Sequence, residues 1–293
     1  CLRSVVPAFL IGVVVPGSIW AQSDAAAQKI NAVENGLGPA FSVSGEPYHF
    51  RTIRSEMSRL HIPGVSVAVI HDGKVEWAKG YGVTHDGGRP VTSETIFQAG
   101  SISKPIAALA SLRLVEQGKL SLDAAVNQYL RDWKVPSNEF TQHAAVTVRE
   151  LLSHTAGISV HGFNGYSAGD SVPTLRQVLD GARPANSPPI RVIAAPGSAW
   201  AYSGGGYVVL QQLLMDVTGR PFPSLMERLV LSPIGMSRSR FDQPLPTALR
   251  DDAASPHDAA GKSIPGGPHT YPERAAAGLW TTPTDIARYF IAV

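Results

Sequence analysis

Ser101 and Lys104 stand three residues apart in the stretch Phe97-Gln98-Ala99-Gly100-Ser101-Ile102-Ser103-Lys104-Pro105-Ile106-Ala107. On a helix this spacing puts both side chains on one face, one above the other. A lysine amine placed there can take the proton of the serine hydroxyl and make it a nucleophile for a carbonyl carbon. Pro105 bears on where the helix begins. Proline is tolerated in a first turn, where the N–H groups lack intrahelical partners, and is costly further in. The spacing therefore predicts a helix starting near Ser101, with the hydroxyl at the positive end of the helix dipole.

Pro196-Gly197-Ser198-Ala199-Trp200-Ala201-Tyr202-Ser203-Gly204-Gly205-Gly206-Tyr207 is the second dense stretch. Pro-Gly predicts a turn, and three consecutive glycines let backbone approach a neighbour closely. A phenol at Tyr202 could act as base or acid if a nearby cation lowered its pKa. The alternative for Tyr202 is a partly buried packing residue. A third stretch reads Leu151-Leu152-Ser153-His154-Thr155-Ala156-Gly157.

In their order and spacing these three stretches resemble the serine β-lactamase-related family: class C β-lactamases, D-alanyl-D-alanine carboxypeptidases and related esterases. The resemblance runs from about Ile53 to Val293. It implies an α/β (α+β) fold, with an antiparallel sheet flanked by helices and a mainly helical region. It further implies that Ser101 is acylated, that Lys104 holds and passes its proton, and that Tyr202 shares the base role and protonates the leaving group. The Ser101 backbone N–H would form half of an oxyanion hole. In the family the other half comes from a later strand with a Lys-Thr-Gly or His-x-Gly motif, which is not found after Tyr202. The sequence stops at Val293 inside an expected helix, so these C-terminal strands are expected to be missing. Gly204 stands at a substrate-binding position where many members carry Asn. This weakens the case for efficient β-lactam hydrolysis and leaves the Ser-Lys-Tyr chemistry intact. Small-molecule or peptide substrates follow: a β-lactam, an ester or a peptidoglycan peptide. No metal or cofactor is expected.

Other readings use the same residues. His154 could be catalytic, but in its loop it is expected to pair with backbone groups. No His-Glu-x-x-His spacing occurs, which disfavours a zinc hydrolase. Ala201-Tyr202-Ser203-Gly204-Gly205 resembles the nucleophile elbow of an α/β-hydrolase, with Ser203 attacking, although Pro196-Gly197 interrupts the strand this would need. A non-turnover penicillin-binding sensor or an inactive homologue is a further alternative.

The elements that must position these groups are legible in part. Val65–Ile70 and Val75–Tyr81 flank Asp72-Gly73, a hairpin signal. Helices are expected at Tyr48–Leu60, from Ser101 to Gln117 with Gly118 ending it, and at 146–153, 174–179, 206–218 and 222–231. Thr95–Gln98 reads as a short strand. Order resumes at Leu279, where Thr282-Pro283-Thr284-Asp285 marks a helix start. Domain organisation is read as 1–21 an export signal peptide incomplete at its start, 22–47 a linker, and 48–293 the catalytic domain. The signal reading rests on the apolar run Val5–Val15 and on Ser18-Ile19-Trp20-Ala21, and implies a bacterial periplasmic or secreted protein with no membrane span after cleavage. Cys1, the single cysteine of the 293 residues, lies in that segment, so a mature chain would have no disulfide. A net charge of +2 with 16% charged residues indicates neither disorder nor nucleic acid as a partner.

Overall fold

The computed structural model describes residues 17–293 apart from 40, 42 and 46, and side chains from residue 26 onward. The run Val5–Val15 and Cys1 lie outside the described residues. Two compact units divide the chain after Arg59. The first holds helix α1 (Gly17–Asn35), within segments read as leader and linker, and helix α2 (Ile53–Arg59). Between them Leu37 and Arg51 exchange backbone hydrogen bonds of 3.0 and 2.9 Å. Helix α2 is shorter than the expected Tyr48–Leu60. The Thr52 hydroxyl accepts the Ser55 N–H at 2.9 Å, which caps the helix and fixes its start. Tyr48 and Phe50 stay exposed ahead of it.

The second unit opens with the expected hairpin, β1 (Gly64–His71) and β2 (Lys74–Gly82). Asp72 and Gly73 at its tip both have positive φ, 48° and 68°. Two such residues in succession are what a tight two-residue hairpin turn needs. A second antiparallel pair joins β3 (Phe97–Gln98) to β4 (Trp280–Thr281) across almost the whole unit. The expected strand at Thr95 shrinks to these two residues, and Ile96 pairs instead with Ala253 in parallel. Helices α3 (Ser103–Glu116), α4 (Val148–Ser153), α5 (Leu175–Asp180) and α6 (Gly204–Thr218) surround the main core, with α7 (Phe222–Met226), α8 (Arg274–Ala277) and α9 (Pro283–Ala292). Each of α4 and α5 opens with a capping box, Thr147 with Glu150 and Thr174 with Gln177. Helix α6 is the hub: Val208, Val209, Leu210, Leu213 and Leu214 are all fully buried. The expected helix 222–231 keeps its helical form to Met226 and then widens into a π-type turn over Glu227–Leu231. The start of α9 follows the expected pattern, with Thr282 as cap, Pro283 in the first turn and Asp285 accepting hydrogen bonds from Arg238 N and Ser239 Oγ. Among the described residues no helix is long and apolar enough to cross a membrane.

Glu273, just before α8, is fully buried, and neither carboxylate oxygen has a hydrogen-bond partner among the described residues. Burial pushes its carboxyl up to about 7 from an ordinary 4.5. Between those two values the folded chain holds a proton that the unfolded chain has released. Stability from this group is therefore full below pH 4.5 and is lost as pH rises to about 7. Glu273→Gln keeps the shape and removes the titration. It is expected to unfold later in urea than the parent above pH 7, by on the order of 2–3 kcal/mol, with no advantage in acid. A variant no more stable than the parent above neutrality would count against the buried carboxylate.

Candidate active site

The turn Ala99–Ile102 carries Ser101 at the mouth of α3. The helix begins at Ser103 and not at Ser101, because the chain enters it through tight i to i−3 turns. Ile102 N donates to Ala99 O at 3.1 Å, Ser103 N to Gly100 O at 3.0 Å, and Lys104 N to Ser101 O at 3.1 Å. Gly100 has φ 51°, a left-handed conformation that glycine adopts freely. The turn is fastened from the far end of the chain. Ala99 N donates to Leu279 O at 2.9 Å, and the buried Ser103 hydroxyl accepts the Leu279 N–H at 2.9 Å. Pro105 sits in the first turn of α3, as expected.

Lys104 is 4% exposed, which is rare for a lysine. Its Nζ donates to Ser101 Oγ at 2.9 Å and to the carbonyl oxygen of Ala276, in α8, also at 2.9 Å. It lies 4.8 Å from the centre of the Tyr202 ring. Burial pulls the amine below its ordinary value, against the opposing pull of the Tyr202 phenol. Partial burial pushes that phenol up, but the Lys104 amine and the Ser101 hydroxyl beside it outweigh this and leave it below its ordinary value. Both groups are thus held below their ordinary values beside each other, and a pair so close titrates as a unit. The N-terminal ends of α3 and α6, helices of 14 and 15 residues, lie next to Ser101 and Tyr202. Their dipoles favour negative charge on a hydroxyl, a phenol or a carbonyl oxygen here, and disfavour an ammonium.

The loop carrying Tyr202 is fastened to the 154–161 segment residue by residue. Ala201 N donates to His154 O at 2.8 Å, and Ser203 N donates to His154 Nδ1 at 3.1 Å. Gly204 N donates to His161 O and Gly205 N to Val160 O, both at 2.9 Å. His154 therefore grips the residues on either side of Tyr202, and its ring lies 4.5 Å from the Tyr202 ring. Its backbone is left-handed, φ 61°. Burial, then Lys104 and His161, pull the imidazole below its ordinary value, which keeps Nδ1 free to accept. The reading of His154 as a partner of backbone groups agrees with this geometry.

Ser203 is not poised to attack. It is 3% exposed, its hydroxyl donates to Ser159 O at 3.0 Å and accepts the Gly206 N–H at 2.9 Å, and it caps α6. Gly204 has its N–H bound to His161, and a Cβ there would lie 3.0 Å from His161 O and 3.1 Å from the Phe163 ring. A side chain there needs both neighbours to give slightly. Sequence reasoning missed Ala276. A backbone carbonyl leaves no trace in residue type, and the only signal was that a buried lysine needs an acceptor.

Residues 50–293 match the family model described as Beta-lactamase. The chain belongs to that family. Esterase EstB of Burkholderia gladioli is 30% identical to this β-lactamase-family chain, over 78% of the chain and 65% of the relative. Unguisins hydrolase ungD' of Aspergillus campestris is also 30% identical, over 76% of the chain and 42% of the relative. The chain thus spans less than two thirds of the length of these curated relatives. Among solved structures, the octameric penicillin-binding protein homologue from Pyrococcus abyssi superposes with a TM-score of 0.65 at 31% identity, covering 82% of this chain and 54% of that one. EstCE1, described as a hydrolase with promiscuous acyltransferase activity, shares the fold with a TM-score of 0.67 at 24% identity, covering 92% and 72%. These likenesses support a serine hydrolase in general terms.

His154→Ala is expected to lower kcat/KM on a chromogenic ester by roughly 10- to 100-fold through loss of Tyr202 positioning, and also to lower the melting temperature, since alanine is strained at φ 61° and Ser203 N loses its acceptor. His154→Asn should recover part of the loss, since asparagine accepts a hydrogen bond and tolerates left-handed backbone. Equal rates in the parent and His154→Ala would remove His154 from the site.

Proposed function

We propose that this protein is an exported serine hydrolase that forms an acyl-enzyme at Ser101 and acts on ester bonds in preference to β-lactams. One observation carries the reading: Ser101 Oγ lies 2.9 Å from the Nζ of a lysine that is buried, held by a backbone carbonyl and pulled toward its neutral form. A neutral amine at that distance can take the serine proton as Oγ attacks. The tetrahedral oxyanion would receive the Ser101 N–H, which donates no hydrogen bond among the described residues, with help from the dipole of α3. Tyr202, sharing a proton with Lys104, returns it to the leaving group. Water then repeats the sequence on the acyl-enzyme, with the same pair as base. Gly204 supports the ester preference. It presents no side-chain amide, and its own N–H is occupied by His161. Export rests on the apolar run Val5–Val15 and the small residues before Gln22.

A fluorophosphonate is expected to phosphonylate the peptide bearing Ser101, adding the reagent's mass less the HF released as the P–F bond breaks, in the protein together with any natural flanking sequence. Ser101→Ala should abolish labelling and Ser203→Ala should leave it. Labelling that survives Ser101→Ala would sink the assignment. Lys104→Arg keeps the charge but cannot release a proton, so acylation should slow by at least ~10²-fold, the usual size of a general-base effect. Near-normal rates there would show that Lys104 supplies charge alone. A stable adduct with a slow β-lactam and no turnover of any ester would favour the sensor reading.

A further inference from the structure

A cavity of about 360 Å³ opens at the C-terminal end of α3, the end away from Ser101. Its walls include four cations from three parts of the chain: Arg113 of α3, Lys119 just after it, Arg220 after α6, and Arg228 in the π-type turn. The buried Leu225 and half-buried Val217 form an apolar side. The carboxylates next to these cations do not account for them. Glu116 pairs with Arg113 at 2.7 Å, and Glu227, beside Arg228 in the chain, accepts the Ser232 hydroxyl at 2.5 Å. Among the described residues Lys119, Arg220 and Arg228 have no ion pair.

Basic side chains near helix C-termini often cap the last carbonyls. Here part of that work is done by backbone. Lys119 N donates to Leu114 O at 2.8 Å, Gly118 N to Val115 O at 2.9 Å, and Gly219 N to Met215 O at 2.8 Å. Three exposed cations therefore line one open cavity and make no ion pair or side-chain hydrogen bond among the described residues. Like charges held together at a surface repel one another and are relieved by a bound anion. Two or more guanidinium groups match the oxygens of a phosphate in particular.

We propose that this cavity binds a phosphate-bearing anion, its charged part between Arg220, Arg228 and Lys119 and any apolar part against Leu225 and Val217. The site is separate from the catalytic one: α3 has 14 residues, and at about 1.5 Å per residue it holds the two roughly 20 Å apart. A soluble phosphate ester and the headgroup of an anionic lipid share this chemistry, and two probes separate them.

Sodium pyrophosphate titrated into the protein at low salt is expected to bind saturably. Arg220→Gln/Arg228→Gln should weaken it by about tenfold or more, the scale of lost charge-assisted hydrogen bonds. Lys74→Gln/Lys262→Gln, which removes the same charge elsewhere on the surface, should leave binding intact. Melting curves of both double variants check the fold. In the second arm the protein is sedimented with phosphatidylcholine vesicles with and without phosphatidylglycerol. Adhesion only to the anionic vesicles, lost in Arg220→Gln/Arg228→Gln and kept in Lys74→Gln/Lys262→Gln, assigns the site to a lipid headgroup. Pyrophosphate binding without adhesion assigns it to a soluble phosphate. Failure to bind either probe, or equal weakening by both double variants, overturns the proposal.

Discussion

Taking the Lys104 amine out of water is the act on which the rest of the site depends. A solvated lysine is protonated at neutral pH and cannot accept a proton. Buried and unsatisfied, it would be too costly to keep. The structure resolves this with one backbone carbonyl, from Ala276, and one hydroxyl, from Ser101. Much that surrounds the site serves those two contacts. The tight entry into α3 sets the amine above the hydroxyl. The strand pair β3–β4 and the Ser103–Leu279 hydrogen bond bring α8 close enough for its carbonyl to reach.

The second half of the site follows a different rule. Tyr202 sits on a loop and gains its precision from backbone hydrogen bonds to the 154–161 segment. The narrowness that makes this fit also limits chemistry at Gly204. A Cβ at Gly204 would meet His161 O at 3.0 Å and the Phe163 ring at 3.1 Å, so a side chain there needs these neighbours to give by a few tenths of an ångström.

The parts of this design legible in the sequence are those that depend on local residue chemistry. Asp72-Gly73 announced its hairpin, Pro105 the first turn of α3, Gly118 its end, and Thr282-Pro283 the start of α9. Ser101, Lys104 and Tyr202 were visible because side-chain chemistry is what sequence records directly. The boundary at Ser103 was displaced because Gly100 and the turn after it are shaped by Leu279, far along the chain. Ala276 was invisible because its contribution is a carbonyl that every residue possesses. Nothing in the sequence around Glu273 marks it as buried; the packing around α8 encloses it. The basic cavity was hidden for a related reason. Its cations are scattered between positions 113 and 228, and a net charge of +2 averages them away.

The contact between Lys104 and Ala276 spans 172 residues, and this has a consequence in time. Synthesis runs from the N-terminus, so Ser101 and Lys104 emerge long before the carbonyl that holds the amine. Until then Lys104 is hydrated and charged, and the serine beside it is an ordinary alcohol. Contacts so distant in sequence also form late in folding, after shorter loops have closed. A nascent or unfolded chain therefore carries the reactive residues without their reactivity. On the proposed mechanism the site becomes competent only once the segment carrying Ala276 has docked, and the fold itself acts as the safety catch.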